Sequence, residues 1–151
     1  MAILPNPPFQ PLDENASDPD DYRPRSVWTG PLVDPVSPNG YVHDLSVIIE
    51  RIAPGDRIPL HRHQVDEAIV IESGEVEMRL GDETRVVNGH SVVFVPAGVE
   101  HGARNVGSEP ASYFAFFPTT AIDIEYLERN PAPGTDGDPP QPPVVYDARA
   151  G

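Results

Sequence analysis

The sequence predicts an all-β barrel, on three observations. Short runs of β-branched and aromatic residues recur at close intervals from about Tyr41 to Pro118. Pro54-Gly55, Ser73-Gly74 and Gly81-Asp82 punctuate those runs with turn chemistry. The run Glu75 to Leu80 also alternates cleanly: Val76, Met78 and Leu80 share one face, and Glu75, Glu77 and Arg79 share the other.

In chain order, residues 1–39 are rich in proline and acid, with no repeat and no helical period. Such a segment buries little surface, so it is expected to lie on the barrel as an arm or to stay partly disordered. Ser26 to Thr29 is its one β-prone patch, with Trp28 as a packing anchor. Residues 40–118 are expected to form the barrel. Tyr41 to Ala53 reads as a strand ended by Pro54-Gly55, with Val47, Ile49 and Arg51 on one face and Ile48, Glu50 and Ile52 on the other. Glu50, read as exposed, argues against the second of these as the core face. Leu60 to His63 and Glu67 to Glu72 follow, then Glu75 to Leu80 and Thr84 to Val87 as a hairpin around Gly81-Asp82. Ser91 to Val95 is apolar throughout its centre, as a buried strand would be, and His101 to Val106 and Ala111 to Phe117 complete the set. Residues 119–130 predict a short amphipathic helix, capped by Thr119-Thr120, running from Ile122 to Arg129 and ended by Asn130-Pro131. Residues 131–151 form a second proline-rich arm in which Val144 to Tyr146 reads as a closing β-segment.

Two stretches carry chemistry. Gly55 to Gly74 reads GDRIPLHRHQVDEAIVIESG, with His61, His63 and Glu67 at H-x-H-x3-E spacing. On a strand, His61 and His63 project from one face, and Glu67 keeps the same parity if the strand or hairpin continues. Two imidazoles and a carboxylate on one face make a chelating set for a divalent metal of borderline softness. Gly89 to Asn105 reads GHSVVFVPAGVEHGARN, in which Pro96-Ala97-Gly98 makes a tight corner and His101 leads the next strand as a candidate fourth ligand. His43 and His90 fall outside both stretches and read as strand-end residues.

The pair of stretches closely resembles the two cupin motifs, G-x5-H-x-H-x3,4-E-x6-G and G-x5-P-x-G-x2-H-x3-N. The first is matched at Gly55, His61, His63, Glu67 and Gly74; the second at Pro96, Gly98, His101 and Asn105. Six residues, not five, separate Gly89 from Pro96, which reads as a β-bulge. The resemblance implies a double-stranded β-helix, or jelly roll, with the short C-terminal helix and proline-rich arms outside it. It also implies that a small single-domain cupin holds one divalent transition metal (Fe, Mn, Ni, Cu, Co or Zn) on His61, His63, Glu67 and His101. At six-coordination that leaves two open positions. Glu67 is the candidate catalytic residue, as a carboxylate able to leave the metal and act as base. Parity then places Ile69 and Ile71 with Glu67, and Ala103 and Asn105 with His101, as pocket lining. The last strand presents either Tyr113, Ala115 and Phe117 or Phe114 and Phe116; Tyr113 and Phe117 are the candidate pocket walls.

Composition bounds the function. With no cysteine there is no disulfide, thiolate metal site or cysteine nucleophile, which fits a reducing compartment, and the cytoplasm is the expected location. MAILPNPPFQP shows neither the positive region nor the apolar run of a secretory signal. A formal net charge of -14, with every basic residue an arginine, opposes nucleic acid and anionic membranes as partners. No G-x-S-x-G, phosphate loop or dinucleotide fingerprint is present. The resulting expectation is a metal-dependent cupin enzyme acting on a small organic molecule, with dioxygenase-like or related isomerase, lyase or decarboxylase chemistry. The alternative is a non-catalytic metal- or small-molecule-binding cupin module. By resemblance, a homodimer is expected, with the arms as clasps.

Overall fold

The computed structural model describes residues 2–12, 18–36 and 40–150. Twelve strands run in chain order: β1 Gln10–Leu12, β2 Arg23–Leu32, β3 Ser46–Ile52, β4 Arg57–Arg62, β5 Glu67–Ser73, β6 Glu75–Leu80, β7 Glu83–Asn88, β8 Ser91–Val95, β9 His101–Asn105, β10 Ala111–Phe117, β11 Ala121–Tyr126 and β12 Val144–Asp147. They form two six-stranded antiparallel sheets, β1-β2-β3-β10-β5-β8 and β12-β11-β4-β9-β6-β7. The all-β jelly roll expected from the sequence is the fold observed. No helix among the described residues is long and apolar enough to cross a membrane.

Alternation explains how the two sheets close on one another. On β5, Glu67, Ile69 and Ile71 are buried while Ala68 and Val70 are half-buried on the outer face. On β10, Ala111, Tyr113, Ala115 and Phe117 point inward in the same way. Val76 and Met78 of β6 meet them from the opposite sheet, and with Ile52, Ile58 and Ile122 they make one core. Burying an aliphatic side chain of this size contributes about 1.5–3 kcal/mol, so strand parity is strongly specified here.

Four expectations are corrected. No short C-terminal helix forms over 119–130; that stretch contains β11. Ile122, Ile124 and Tyr126 alternate with Asp123 and Glu125, and β11 pairs with both β4 and β12. The N–H groups of Leu127 and Glu128 donate to Leu60 O at 2.8 and 3.1 Å, so the segment finds its partners across the sheet and not four residues back. The core face of β3 is the one that carries Glu50: Ile52 is fully buried and Glu50 is 8% exposed. The longer spacing after Gly89 is absorbed by the turn and not by a bulge. The β5–β8 register runs unbroken from Glu67↔Val95 to Ile71↔Ser91, while His90 takes a left-handed conformation at φ 68°. Strand β3 is also shorter than its apolar run, beginning at Ser46; Tyr41 and Val42 donate their N–H groups to Asp34 Oδ2 and lie exposed.

Candidate metal centre

The four candidate ligands come from both sheets at one end of the barrel. His61 lies on β4 and is the direct register partner of His101 on β9. His63 follows β4 immediately, and Glu67 opens β5 in the facing sheet. What joins the two motifs is the corner at Pro96 to Gly98. Gly98 sits at φ 81°, a conformation that costs an L-residue strain, and donates its N–H to His63 O at 2.8 Å. Ala97 N–H donates to Asp66 Oδ1 at 2.8 Å, so the corner is stapled to the loop that carries the first motif. Gly74 closes that motif at φ 97°, where a Cβ would stand 2.6 Å from that of Ala111.

All four side chains are buried, and one ligand atom from each lies within 4.8 Å of the others. The imidazole tautomers follow from the hydrogen bonds. Nδ1 of His61 faces Pro59 O at 2.7 Å, Nδ1 of His101 faces Val99 O at 2.9 Å, and Nδ1 of His63 contacts Asp123 O. A carbonyl oxygen only accepts, so each Nδ1 carries a proton and each ring turns its Nε2 toward the other three side chains. Burial, reinforced by the neighbouring histidines, holds the His61 pKa well below its ordinary value, and burial also lowers that of His63. Neutral rings are therefore the resting state of both.

The Nε2 atoms converge on a carboxylate. Glu67 Oε2 is 2.7 Å from His101 Nε2 and 3.5 Å from His63 Nε2. Among the described residues, His63 Nε2, Glu67 Oε2 and His101 Nε2 have no hydrogen-bond partner despite full burial. Buried nitrogen and carboxylate atoms brought this close need a shared cation, a proton or a metal ion, to offset their desolvation. The donor set therefore fits a divalent transition metal: three imidazole nitrogens and one carboxylate oxygen, each ring oriented by a backbone carbonyl.

Beside the ligands lies a cavity of about 50 Å³, bounded by His61, His63 and Glu67 and by Ile48, Glu50, Tyr113, Phe117, Ile124 and Tyr126. His63 packs edge-on against Phe117, with ring centroids 5.1 Å apart. Of the predicted lining residues, Tyr113 and Phe117 stand in this wall. Ile69 and Ala103 pack behind His61 and His101, while Ile71 is buried in the core away from the cavity. Asn105 is also outside the wall, with its side chain bound to backbone groups. Its Nδ2 donates to Ile52 O and Glu109 O, both at 2.8 Å, and its Oδ1 accepts from Gly107 N–H at 2.9 Å. Larger cavities lie away from the histidines, two of them about 470 Å³ each; one of these is apolar and borders Leu32, Tyr41 and Leu45.

Sequence reasoning missed a second polar cluster in the same wall. Asp21 and Glu50 both border the cavity, and Arg23 ties them together. Arg23 Nε and Nη2 donate to the two oxygens of Asp21 at 2.7 Å, and Nη1 donates to Glu50 Oε2 at 3.1 Å. Burial works against the Arg23 charge, but the two carboxylates outweigh it and hold its pKa well above the ordinary value. Burial pushes the Glu50 carboxyl up, an effect Arg23 partly offsets. Burial, with Glu67 and Glu50 adding to it, likewise pushes the Tyr113 phenol well up, so it stays protonated. One signal was readable: Glu50 shares its strand face with Ile48 and Ile52.

A family model described as a cupin domain matches residues 48–117, the stretch that holds all four converging side chains. The match takes in just under half of the chain. The H2HPP isomerase of Bacillus subtilis is 33% identical to this chain over 86 residues. That alignment covers 56% of the chain but only 33% of the isomerase, so the chain spans about a third of that relative's length. Among solved structures, an RmlC-like cupin from Shewanella frigidimarina superposes with a TM-score of 0.57 at 15% identity, over 79% of this chain and 90% of that one. A conserved Klebsiella pneumoniae protein with a double-stranded β-helix domain gives 0.52 at 25% identity, over 57% of this chain and 72% of that one. A variant of Bacillus subtilis oxalate decarboxylase gives 0.55 at 20% identity, over 68% of this chain and 27% of that one. The chain thus shares its fold with proteins of quite different length.

Proposed function

We propose that the chain is a metal-dependent cupin enzyme acting on a small organic molecule, with one divalent transition metal (Fe, Mn, Ni, Cu, Co or Zn) on His61, His63, Glu67 and His101. The observation that carries this reading is the convergence of unpartnered Nε2 and carboxylate atoms within 4.8 Å in a buried site. When bound, such an ion supplies a Lewis acid and, for a redox-active metal, access to oxygen chemistry. The reaction class is dioxygenase-like or a related isomerase, lyase or decarboxylase step, and the H2HPP isomerase relative supports the isomerase branch. In this reading Glu67 has two roles, as ligand and as the base that receives a substrate proton. Phe117, Ile122 and Ile124 limit water in the cavity, and Tyr113 presents a protonated phenol to the bound molecule. The partners are a small molecule and a second copy of the chain, not nucleic acid or membrane.

A non-catalytic metal- or small-molecule-binding module is the second reading, favoured by the small size of the cavity. Metal content by plasma mass spectrometry decides the first step. The protein is purified without chelator or nickel resin and compared with H61A/H101A. About one equivalent of metal in the wild type, lost in the variant, supports the centre; no metal even after reconstitution refutes it. Turnover of phenols and diketones by the loaded protein then separates enzyme from binding module.

A further inference from the structure

We infer that the cavity beside the histidines selects a small uncharged molecule, oriented by donation of its O–H or N–H to Glu50, and disfavours anions. The inference rests on the metal-centre reading above and adds to it the class of ligand. It starts from the wall opposite the ligands. Among the described residues, three carboxylates border this cavity, Asp21, Glu50 and Glu67, and no arginine or lysine does. The cation behind the wall is Arg23, and it is already committed. Asp21 takes its Nε and Nη2 at 2.7 Å, and Glu50 takes Nη1 at 3.1 Å and Nη2 at 3.4 Å. Arg23 is 2% exposed, so it cannot swing out to meet an incoming anion.

Anion sites in proteins present unspent donors such as bidentate arginines, backbone N–H groups or helix N-termini. Here one positive charge is shared by two acids, and among the described residues nothing else on that side of the cavity carries a positive charge. Glu50 has spare accepting capacity. Each of its oxygens takes one contact from Arg23, the Oε1 contact long at 3.4 Å, which leaves a lone pair on each. Tyr113 is its direct ladder partner across β3 and β10. The phenol has no hydrogen bond among the described residues. The wall therefore sets an acceptor, Glu50, beside a donor, Tyr113, a pair that matches a hydroxyl or amide group. At about 50 Å³, the cavity admits roughly three to five groups of water size. That is the scale of a molecule with about five non-hydrogen atoms.

The test uses two probes of one skeleton, glycolamide (neutral) and glycolate (anionic), titrated calorimetrically into manganese-loaded protein. The manganese electron paramagnetic resonance signal serves as an independent readout. The expected result is a glycolate-to-glycolamide affinity ratio at least tenfold below that of manganese ions in the same buffer. E50Q, which removes one acid while keeping its shape, should raise glycolate affinity by about tenfold, a Coulomb estimate, and weaken glycolamide. A ratio equal to or above that of the free ion would overturn the inference, as would an E50Q variant that leaves both affinities unchanged. Failure of the wild type to hold manganese, zinc or iron would instead refute the metal centre, and the ligand class would fall with it.

Discussion

Arg23 is the residue whose removal tests the architecture of the site most directly. It is 2% exposed and bound to Asp21 and Glu50, themselves 7% and 8% exposed. R23M keeps the length of the stem and deletes the charge, leaving two acids buried side by side with no cation. Breaking a buried pair from one side costs about 3–5 kcal/mol, a large share of the roughly 5–15 kcal/mol that holds a domain folded. For a chain of this size that corresponds to a fall in melting temperature of roughly 6–20 °C. The deficit should depend on pH in a fixed direction. Burial already pushes the Glu50 carboxyl up, and loss of Arg23 removes what offsets it. A carboxyl whose folded pKa is raised binds its proton more tightly when folded, so stability is greatest at low pH and falls as pH rises through the folded value. R23M should therefore lose least near pH 4 and most near pH 8. The triple variant D21N/R23M/E50Q, with no buried charge left, should recover at least half of the loss. Urea unfolding followed by circular dichroism across that range measures all three. A loss below about 1 kcal/mol at pH 8, or no recovery in the triple variant, would show that the cluster is not a charge-balanced unit.

Other outcomes follow from the same contacts. Saturating zinc or manganese should raise the melting temperature of the wild type, with about 2.7 kcal/mol gained at a hundredfold excess over Kd, and should do nothing for H61A/H101A in scanning fluorimetry. Asp123 holds the first-motif loop by accepting Gln64 N–H at 2.9 and 3.0 Å, so D123A should weaken metal binding about tenfold in a chelator competition without removing a ligand. Asp18 is pushed up to about 6 by burial, against hydrogen bonds from Tyr126 and Tyr146 that pull it down. Its protonated form favours the fold, so wild-type stability should drop by up to about 3 kcal/mol between pH 4 and pH 7, and D18N should lie flat over that window in urea titrations. Phe94 and Val92, 73% and 54% exposed on edge strand β8, are the surface expected to meet a second copy. F94E should convert a dimer to a monomer in sedimentation analysis, and an unchanged mass would remove that face as the interface.

The cluster of candidate ligands was legible because such chemistry restricts spacing: two imidazoles one pleat apart and a carboxylate at matching parity leave few other readings. The corner at Gly98 was legible for the same reason, since a left-handed residue there is written as glycine. Parity narrowed the last strand to two faces, and the face carrying Tyr113 and Phe117 is the one that lines the wall. What stayed hidden depends on partners far along the chain. Residues 122–127 satisfy a helical stripe through Ile122, Tyr126 and Leu127 and a strand face through Ile122, Ile124 and Tyr126 equally well. The choice is made by β4, where Tyr126 lies opposite His61 and Arg62 Nε binds Glu125 at 2.7 Å, about sixty residues upstream. Glu50 failed for a related reason. A charge within a strand reads as outward, and it becomes an inward residue only when a buried cation answers it. That cation is Arg23, in a segment whose proline and acid content reads as a loose arm. Arg23 sits inside because β2 pairs with β3 and carries it under the barrel mouth, next to the strand whose glutamate it neutralises. The polar wall of the cavity and the outermost strands of the first sheet are therefore one feature: without the pairing of β2 on β3, Glu50 would face the cavity as an unanswered charge, and the face it shares with Ile48 and Ile52 would not close.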